Sequence, residues 1–381
     1  MTRLRVVHVV DSLAATGGAE QRLVEEIEAL ADRFDQHVVR LYERDDLQRR
    51  LEGSGVPVTA LGFSARQAGR TWPVAARRLR VVLAAQRPDV VHTTLFSGNL
   101  VGQLAARRLG IPVLSSFNRT GDIALQRAHQ PGVAGWRGRT MQAVARRVAR
   151  HDDVQFRAVS ADAAATNGTL FAVPPERISV VPRGITVDGV AATDRRSFGL
   201  PDAGPLFVNA ARLAPEKAQT LLVEAFAAAR QRLPDAQLAI AGAPGVAEPS
   251  VRDAIARHDL GTAVHLLGWR ADVRSLVATA EVFVFSSLSE GWPSAVVEAM
   301  AIGTPVVAFA IPPVAEVTGG HARLVAAGDV DELAAAMVDA ATTTQRAVEV
   351  AEARAWTEQF ALSGVAERLG DLLASCAGRA T

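Results

Sequence analysis

The segment Val282-Phe283-Val284-Phe285-Ser286-Ser287-Leu288-Ser289-Glu290-Gly291-Trp292-Pro293-Ser294-Ala295-Val296-Val297-Glu298-Ala299-Met300-Ala301-Ile302-Gly303-Thr304-Pro305-Val306-Val307-Ala308 reads as one strand–helix–strand unit. The continuous apolar run Val282–Phe285 is expected to be a strand buried on both faces. A helix is predicted from about Ser294, and a second apolar run follows at Val306–Phe309. Near-continuous apolar strands separated by helices imply a parallel sheet covered on both sides.

Working outward, the same pattern recurs at Leu206–Ala210, 238–241 and 264–267, and earlier at 6–10, 38–41, 56–60, 90–92, 113–116, 158–160 and 178–181. Two such series predict an α/β chain of two doubly wound, Rossmann-like domains whose facing sheets would leave a cleft between them. The 381 residues are 49% hydrophobic and 21% charged, enough apolar material for two cores, which excludes a disordered chain. Residues 182–205 carry Pro182, Gly184, Gly189, Gly199, Pro201 and Gly204 without a sustained period and read as the linker. Charge divides near the same place: residues 1–189 sum to +8 and the remainder to −7.

Of 41 basic residues, 40 are Arg, a skew best read as coding bias, and the exception is Lys217. The lone cysteine, Cys376, excludes a disulfide framework and a Cys-based zinc site and suits a reducing compartment. The first residues lack the apolar core of a signal peptide, and no apolar stretch reaches the ~18 residues of a membrane span. The expectation is a cytoplasmic protein, soluble or peripheral to the inner face of the membrane. Between Arg66 and Arg157 lie 16 Arg against four acids, and residues 140–150 place Met141, Val144, Ala145 and Val148 on one helical face with Arg146, Arg147 and Arg150 mostly off it. Such a helix can lie on an anionic membrane, grip an anionic acceptor, or simply present a solvated face. No aromatic residues interleave with the arginines, which argues against nucleic acid.

Ligands of open parallel sheets bind beyond the carboxyl ends of the strands, so the chemistry is sought there. After the first strand, Gly17 and Gly18 open a helix, a turn whose backbone N–H groups can approach an anion. After Leu206–Ala210, Arg212 and Lys217 straddle a strand-to-helix turn, where two cations can close on a diphosphate. Glu290 stands in the loop after Val282–Phe285, and Glu298 lies inside the following helix. An acid amid Val296, Val297, Ala299 and Met300 needs a ligand or a neighbouring donor.

These residues resemble the retaining glycosyltransferases of family 4, which have the GT-B fold. The resemblance rests on Gly-Gly-Ala-Glu at 17–20, Arg212 with Lys217, the Glu290/Glu298 pair with Gly-Trp-Pro between them, and Ala-Met-Ala-Ile-Gly-Thr-Pro-Val-Val-Ala at 299–308. Further matches are Val91-His92, Ala158-Val159-Ser160, Val181-Pro182-Arg183-Gly184-Ile185, Ala241-Gly242 and Leu267-Gly268. It implies an acceptor-binding domain at 1–185, joined by the C-terminal helix 357–381, and a donor-binding domain at 186–356. The implied co-substrate is a nucleotide-sugar, by prior a UDP-sugar, with no other cofactor and no metal.

Carried over by position, Arg212 and Lys217 would hold and stabilise the departing diphosphate, Glu290 would sit by the donor sugar and Glu298 would take the ribose hydroxyls. Gly291, Trp292 and Pro293 would shape the sugar pocket, the Ser294 and Ala295 amides would meet phosphate, as would Gly17 and Gly18, and Trp269 and Arg270 would lie by the base. Asp11, His92 and Arg119 are the candidates on the acceptor side, although His92 reads equally as a structural histidine at a strand end. One departure is Asn118, which stands where many relatives carry a histidine against the donor sugar; an amide can hydrogen-bond a hydroxyl but cannot carry a proton. Asp329-Val330-Asp331 matches a short metal-binding signature of another transferase fold but precedes a helix, where Asp329 is expected to be a cap. The acceptor, whether lipid carrier, envelope glycan or small natural product, is left open, with an anionic partner favoured by the basic first half. An epimerase or phosphorylase on the same fold, or a non-catalytic binder of sugar nucleotides, are the alternative functions.

Overall fold

A computed structural model describes residues 3–15, 18–65, 70–118, 136–151, 153–202 and 204–378. The chain divides into two compact units, Met1–Gly184 with Leu362–Thr381, and Ile185–Ala361. The first holds β1 (Leu4–Val10), β2 (Phe34–Tyr42), β3 (Val58–Phe63), β4 (Val90–Thr94), β5 (Val113–Phe117), β6 (Val154–Ala158) and β7 (Ile178–Val180). All pair in parallel in the order β3-β2-β1-β4-β5-β6-β7. The second holds β8 (Leu206–Ala210), β9 (Gln237–Ala241), β10 (Val264–Gly268), β11 (Val282–Phe285), β12 (Val306–Phe309) and β13 (Arg323–Val325), again parallel, in the order β10-β9-β8-β11-β12-β13. Both orders reverse direction once, between β1 and β4 and between β8 and β11, and it is at such switch points that α/β sheets leave a crevice for ligands.

The central strands are apolar on both faces and buried, as at Val6, Val7, Val9, Val10 and Val282–Phe285, because helices cover each side. The helix Leu362–Ala377 belongs to the first unit: Val365, Ala366, Leu369, Leu373 and Cys376 pack with Val6, Phe34, Val90 and Leu114. Among the described residues, no helix is long and apolar enough to cross a membrane.

Several elements differ from the sequence reading. The sixth strand spans Val154–Ala158 rather than 158–160, and Ser160 instead caps the next helix by accepting the Ala163 N–H at 3.0 Å. The apolar signal was broken there by Arg157, which is 1% exposed inside the strand because Glu26 neutralises it. Residues 185–205 form part of the second unit, with Phe198 and Leu200 buried, so the change of unit falls at Gly184 and Ile185. The short strand Arg323–Val325 was missed because three residues, two half-buried and one buried, are too few to carry a periodic signal. On the basic helix Trp136–Ala149, Ala145 and Val148 are buried but Val144 is 41% exposed, so its apolar face is narrower than expected. The Met141 side chain lies outside the described residues.

Candidate active site

The second unit builds its site at the switch between β8 and β11. Beyond β8 the chain continues to pair with the segment after β9: Ala211 N–H donates to Ala241 O at 3.0 Å and Leu213 N–H to Ala243 O at 3.1 Å. This close approach requires glycine opposite. A Cβ on Gly242 would lie 1.9 Å from Ala211 O, and one on Gly245 would lie 2.1 Å from Leu213 O. The Gln219 amide then ties the loop from below, donating to Arg212 O at 3.0 Å. Arg212 is thereby held by its backbone while its guanidinium, half exposed, reaches Glu216 at 3.0 Å.

A short 3-10 turn, Pro215–Lys217, aims Lys217 across to the loop after β11. Leu288 N–H donates to Glu216 O at 2.9 Å and Ser286 Oγ to Lys217 O at 2.8 Å, stitching the two loops together. Lys217 Nζ sits 2.5 Å from Glu290 Oε1 and 5.9 Å from the centre of the Phe285 ring. Two residues singled out separately in the sequence, 73 positions apart, thus form one partly buried ion pair. Glu298 also has a partner, Arg274, at 2.8 Å from the neighbouring helix Val273–Thr279. A neighbouring donor therefore answers the expectation for an acid inside this helix, and nothing in the sequence around Arg274 marks it as that donor.

Around this pair, two buried polar atoms, Ser287 Oγ and Trp292 Nε1, have no hydrogen-bond partner among the described residues. Buried polar groups are seldom left so, and at the carboxyl end of a strand they suit a ligand. The Trp292 indole packs edge-on against Phe360 at 5.1 Å and is 8% exposed, so it supports the loop from behind. The helix Ser294–Ile302 has no side-chain cap, but the Ser294 N–H already donates to Trp292 O at 2.9 Å. Of the two amides assigned to phosphate, that of Ser294 is therefore engaged within the loop; Gly291 and Pro293 are buried in the same turn. Trp269 is 50% exposed just past β10, a free aromatic face for a base, and Arg270 is fixed by Asp272 at 2.7 and 2.8 Å. Asp329 caps the helix Val330–Thr342 by accepting the Glu332 N–H at 2.9 Å.

In the first unit, Gly18 begins the helix Gly18–Ala29, while Gly17 and Arg119 lie outside the described residues. Asp11, just past β1, accepts the Gly98 N–H at 2.5 Å and so caps the helix Phe96–Arg107, whose entry residue Leu95 has a left-handed φ of 69°. Burial pushes the Asp11 carboxyl up to about 7, against the Gly98 and Ser97 hydrogen bonds that favour the charged form. A raised carboxyl pKa means that the folded state holds the proton longer, so this group's contribution to stability falls as pH rises from about 4 to 7. Asp11→Asn retains an acceptor for Gly98 but cannot ionise. Its melting temperature relative to wild type should therefore climb across that window, by about 1.4 kcal/mol of stability per pKa unit; a difference that stays flat with pH would contradict the assignment.

His92 is 1% exposed, and both its ring nitrogens are used inside the sheet, Nδ1 with His8 Nδ1 at 3.0 Å and Nε2 with Ser116 Oγ at 2.9 Å. His8 Nε2 in turn meets Gln36 Oε1 at 3.0 Å. Gln36 Oε1 can only accept, so the relay runs in one direction: His8 donates to Gln36, His92 donates to His8, and Ser116 donates to His92. Burial holds both imidazoles neutral, His8 at about 4 and His92 well below its ordinary value. The geometry corrects the acceptor assignment: His92 is a structural histidine that ties β1, β2, β4 and β5 together. Asn118, past β5, accepts from Arg183 Nη2 at 2.5 Å, a contact between two residues noted only separately in the sequence.

Comparison with known families assigns both units. Residues 17–184 match the model of the glycosyl transferase 4-like domain and residues 204–343 that of the glycosyl transferases group 1. The chain belongs to the GT-B glycosyltransferase family. An MMP α-(1→4)-mannosyltransferase of Mycolicibacterium hassiacum is 32% identical over 67% of this chain and 63% of its own length. A D-inositol 3-phosphate glycosyltransferase of Catenulispora acidiphila is 28% identical over 63% of this chain and 57% of its own. The matched stretch thus spans about three fifths of these relatives. The crystal structure of HepE of Anabaena in complex with UDP has a TM-score of 0.81 at 22% identity, covering 98% of this chain and all of that one, which establishes the shared GT-B fold.

Proposed function

We propose that this GT-B family member is a retaining glycosyltransferase that takes its sugar from a UDP-sugar held by the second unit and passes it to an acceptor held by the first. The observation that carries this reading is the Lys217–Glu290 pair beside Arg212, on loops cradled by Gly242 and Gly245 at the β8/β11 switch. Two cations and one carboxylate at that point suit a diphosphate and the sugar attached to it. Arg212 and Lys217 neutralise the charge that grows on the diphosphate as it leaves, an electrostatic contribution larger in the transition state than in the ground state. Glu290 accepts hydrogen bonds from sugar hydroxyls and keeps Lys217 aligned before the donor arrives. Glu298, steadied by Arg274, takes the ribose hydroxyls, and Trp269 offers its face to the base. In the reaction the bond from the anomeric carbon to the phosphate oxygen breaks, the acceptor oxygen bonds to that carbon from the same face, and its proton passes to the departing phosphate. The UDP and UDP-glucose complexes of HepE support uracil as the base.

The test is a thermal-shift panel of UDP-, GDP-, ADP- and dTDP-sugars, since a ligand that binds only the folded state raises its melting temperature by mass action. A UDP-sugar is expected to give the largest shift, and proton NMR of the product formed with an accepted sugar alcohol should show the donor's anomeric configuration. A purely inverted product, or no shift with any donor, would overturn the reading.

A further inference from the structure

Inside the first unit, Glu26 is the centre of a buried charge cluster that the donor chemistry does not use. Both of its carboxylate oxygens are taken by Arg157, at 2.7 and 2.8 Å, and Arg157 is completed by the carbonyls of Val181 and Pro182. A second guanidinium, Arg183, is 4% exposed and reaches the same carboxylate only at 3.7 Å, beyond hydrogen-bond range. Its Nη2 is spent on Asn118 Oδ1, and its Nη1 has no hydrogen-bond partner among the described residues; neither has Asn118 Nδ2, at the other end of the same amide. Glu26 therefore faces Arg157 closely and Arg183 loosely, with the buried Arg22 also near, and two N–H donors joined through a single hydrogen bond are left unsatisfied just past the carboxyl end of β5. Burial also pulls the Arg183 guanidinium down to about 10, against the opposing pull of Glu26 and Glu20. A buried cation held only by a long ion pair through Nη1, with two donors lacking a hydrogen bond, is costly, and a bound oxyanion would relieve both at once.

We propose that Arg183 Nη1 and Asn118 Nδ2 form an oxyanion subsite that takes a phosphate or carboxylate group of the ligand bound by the first unit. The site stands on this cluster alone and moves Asn118 from the donor sugar, where its place in the sequence put it, to the acceptor; that its ligand is the acceptor rests on the proposed transfer reaction. It gives the +8 charge of residues 1–189 a specific point of action, distinct from the exposed arginines of the helix Trp136–Ala149.

Removing the buried Arg183 side chain would leave a cavity and risk the fold, so the decisive variant is Asn118→Asp. The new carboxylate satisfies Arg183 internally and replaces the donor by a repelling charge. Melting temperature is followed against inorganic phosphate and, separately, acetate, at constant ionic strength, in wild type, Asn118→Asp and Lys217→Ala. The expected result is a saturable shift in wild type that persists in Lys217→Ala, and an apparent Kd at least ~10-fold weaker in Asn118→Asp, whose own melting temperature is equal or higher. Phosphate against acetate identifies which oxyanion fits. A shift kept in Asn118→Asp but lost in Lys217→Ala would assign anion binding to the second unit and overturn the subsite while leaving the donor site standing. No shift in wild type, or one equal in all three proteins, would also overturn it.

Discussion

Lys217→Ala is expected to lower turnover at least ~100-fold with the fold intact. The magnitude follows from losing one preorganised charge at a departing group, a loss that elsewhere costs a factor of about 10² to 10³. The structure sharpens the expectation in two ways. Lys217 is held before any ligand arrives, by Glu290 at 2.5 Å and by the Ser286 hydroxyl on its carbonyl, so under the proposed reaction little ordering entropy is left to be lost at this position. Removing it also leaves Glu290 in a partly buried loop without its cation, facing a doubly charged donor. The two losses belong to one pair. A double-mutant cycle of Lys217→Ala and Glu290→Gln should therefore be strongly non-additive, with the double variant little worse than the lysine variant alone. Steady-state kinetics checks this, with circular dichroism as the control for folding; near-wild-type kcat would remove Lys217 from the mechanism.

Gly242→Ala should cost a comparable factor through geometry instead of charge. The added Cβ would lie 1.9 Å from Ala211 O and 2.5 Å from Ala211 C, both backbone atoms. That backbone cannot retreat freely, because Ala211 and Leu213 are paired to Ala241 and Ala243 and the Arg212 carbonyl is tied to Gln219. The loop must shift as a body and carry Arg212 with it. Misplacement of a catalytic group by about 1 Å can cost a factor of about 10², and the overpacking itself about 1–3 kcal/mol. The expected outcome is a ~100-fold lower kcat/KM with a modestly lower melting temperature. A lowered melting temperature with unchanged kinetics would show that the loop does not position Arg212.

Much of this site was legible along the chain because its parts follow directly on strands that are apolar on both faces. Runs such as Val282–Phe285 announce buried parallel strands, and Lys217, Glu290 and Glu298 stand out as charges where the pattern calls for none. What was not legible is pairing across distance. Nothing in the sequence joins Lys217 to Glu290, Glu298 to Arg274, or Asn118 to Arg183, since each contact is made only when loops or helices that follow different strands are brought together by the sheet. Burial of charge misled in the same way. Arg157 broke the apolar run of its strand, yet it is buried because Glu26, three residues after Leu23 and four before Leu30, lies on the apolar face of the helix Gly18–Ala29. That helical spacing is the sequence signal for the cluster, an acid on an apolar helix face of the same kind as Glu298. The two glycines under the Arg212 loop were a similar case: Gly242 was visible as a motif, but the reason for it, a backbone approach from Ala211, is tertiary.

The most direct test of the account is release of UDP from a UDP-sugar in the absence of any acceptor, followed over hours for the wild type and for Arg212→Ala, Lys217→Ala and Glu290→Gln. Water can stand in for the acceptor once the leaving group is stabilised, so the account predicts slow, enzyme-dependent release in wild type that falls at least ~100-fold in Lys217→Ala. Binding of UDP-sugars without any release in the wild type, or release that proceeds equally in all four proteins, would contradict it.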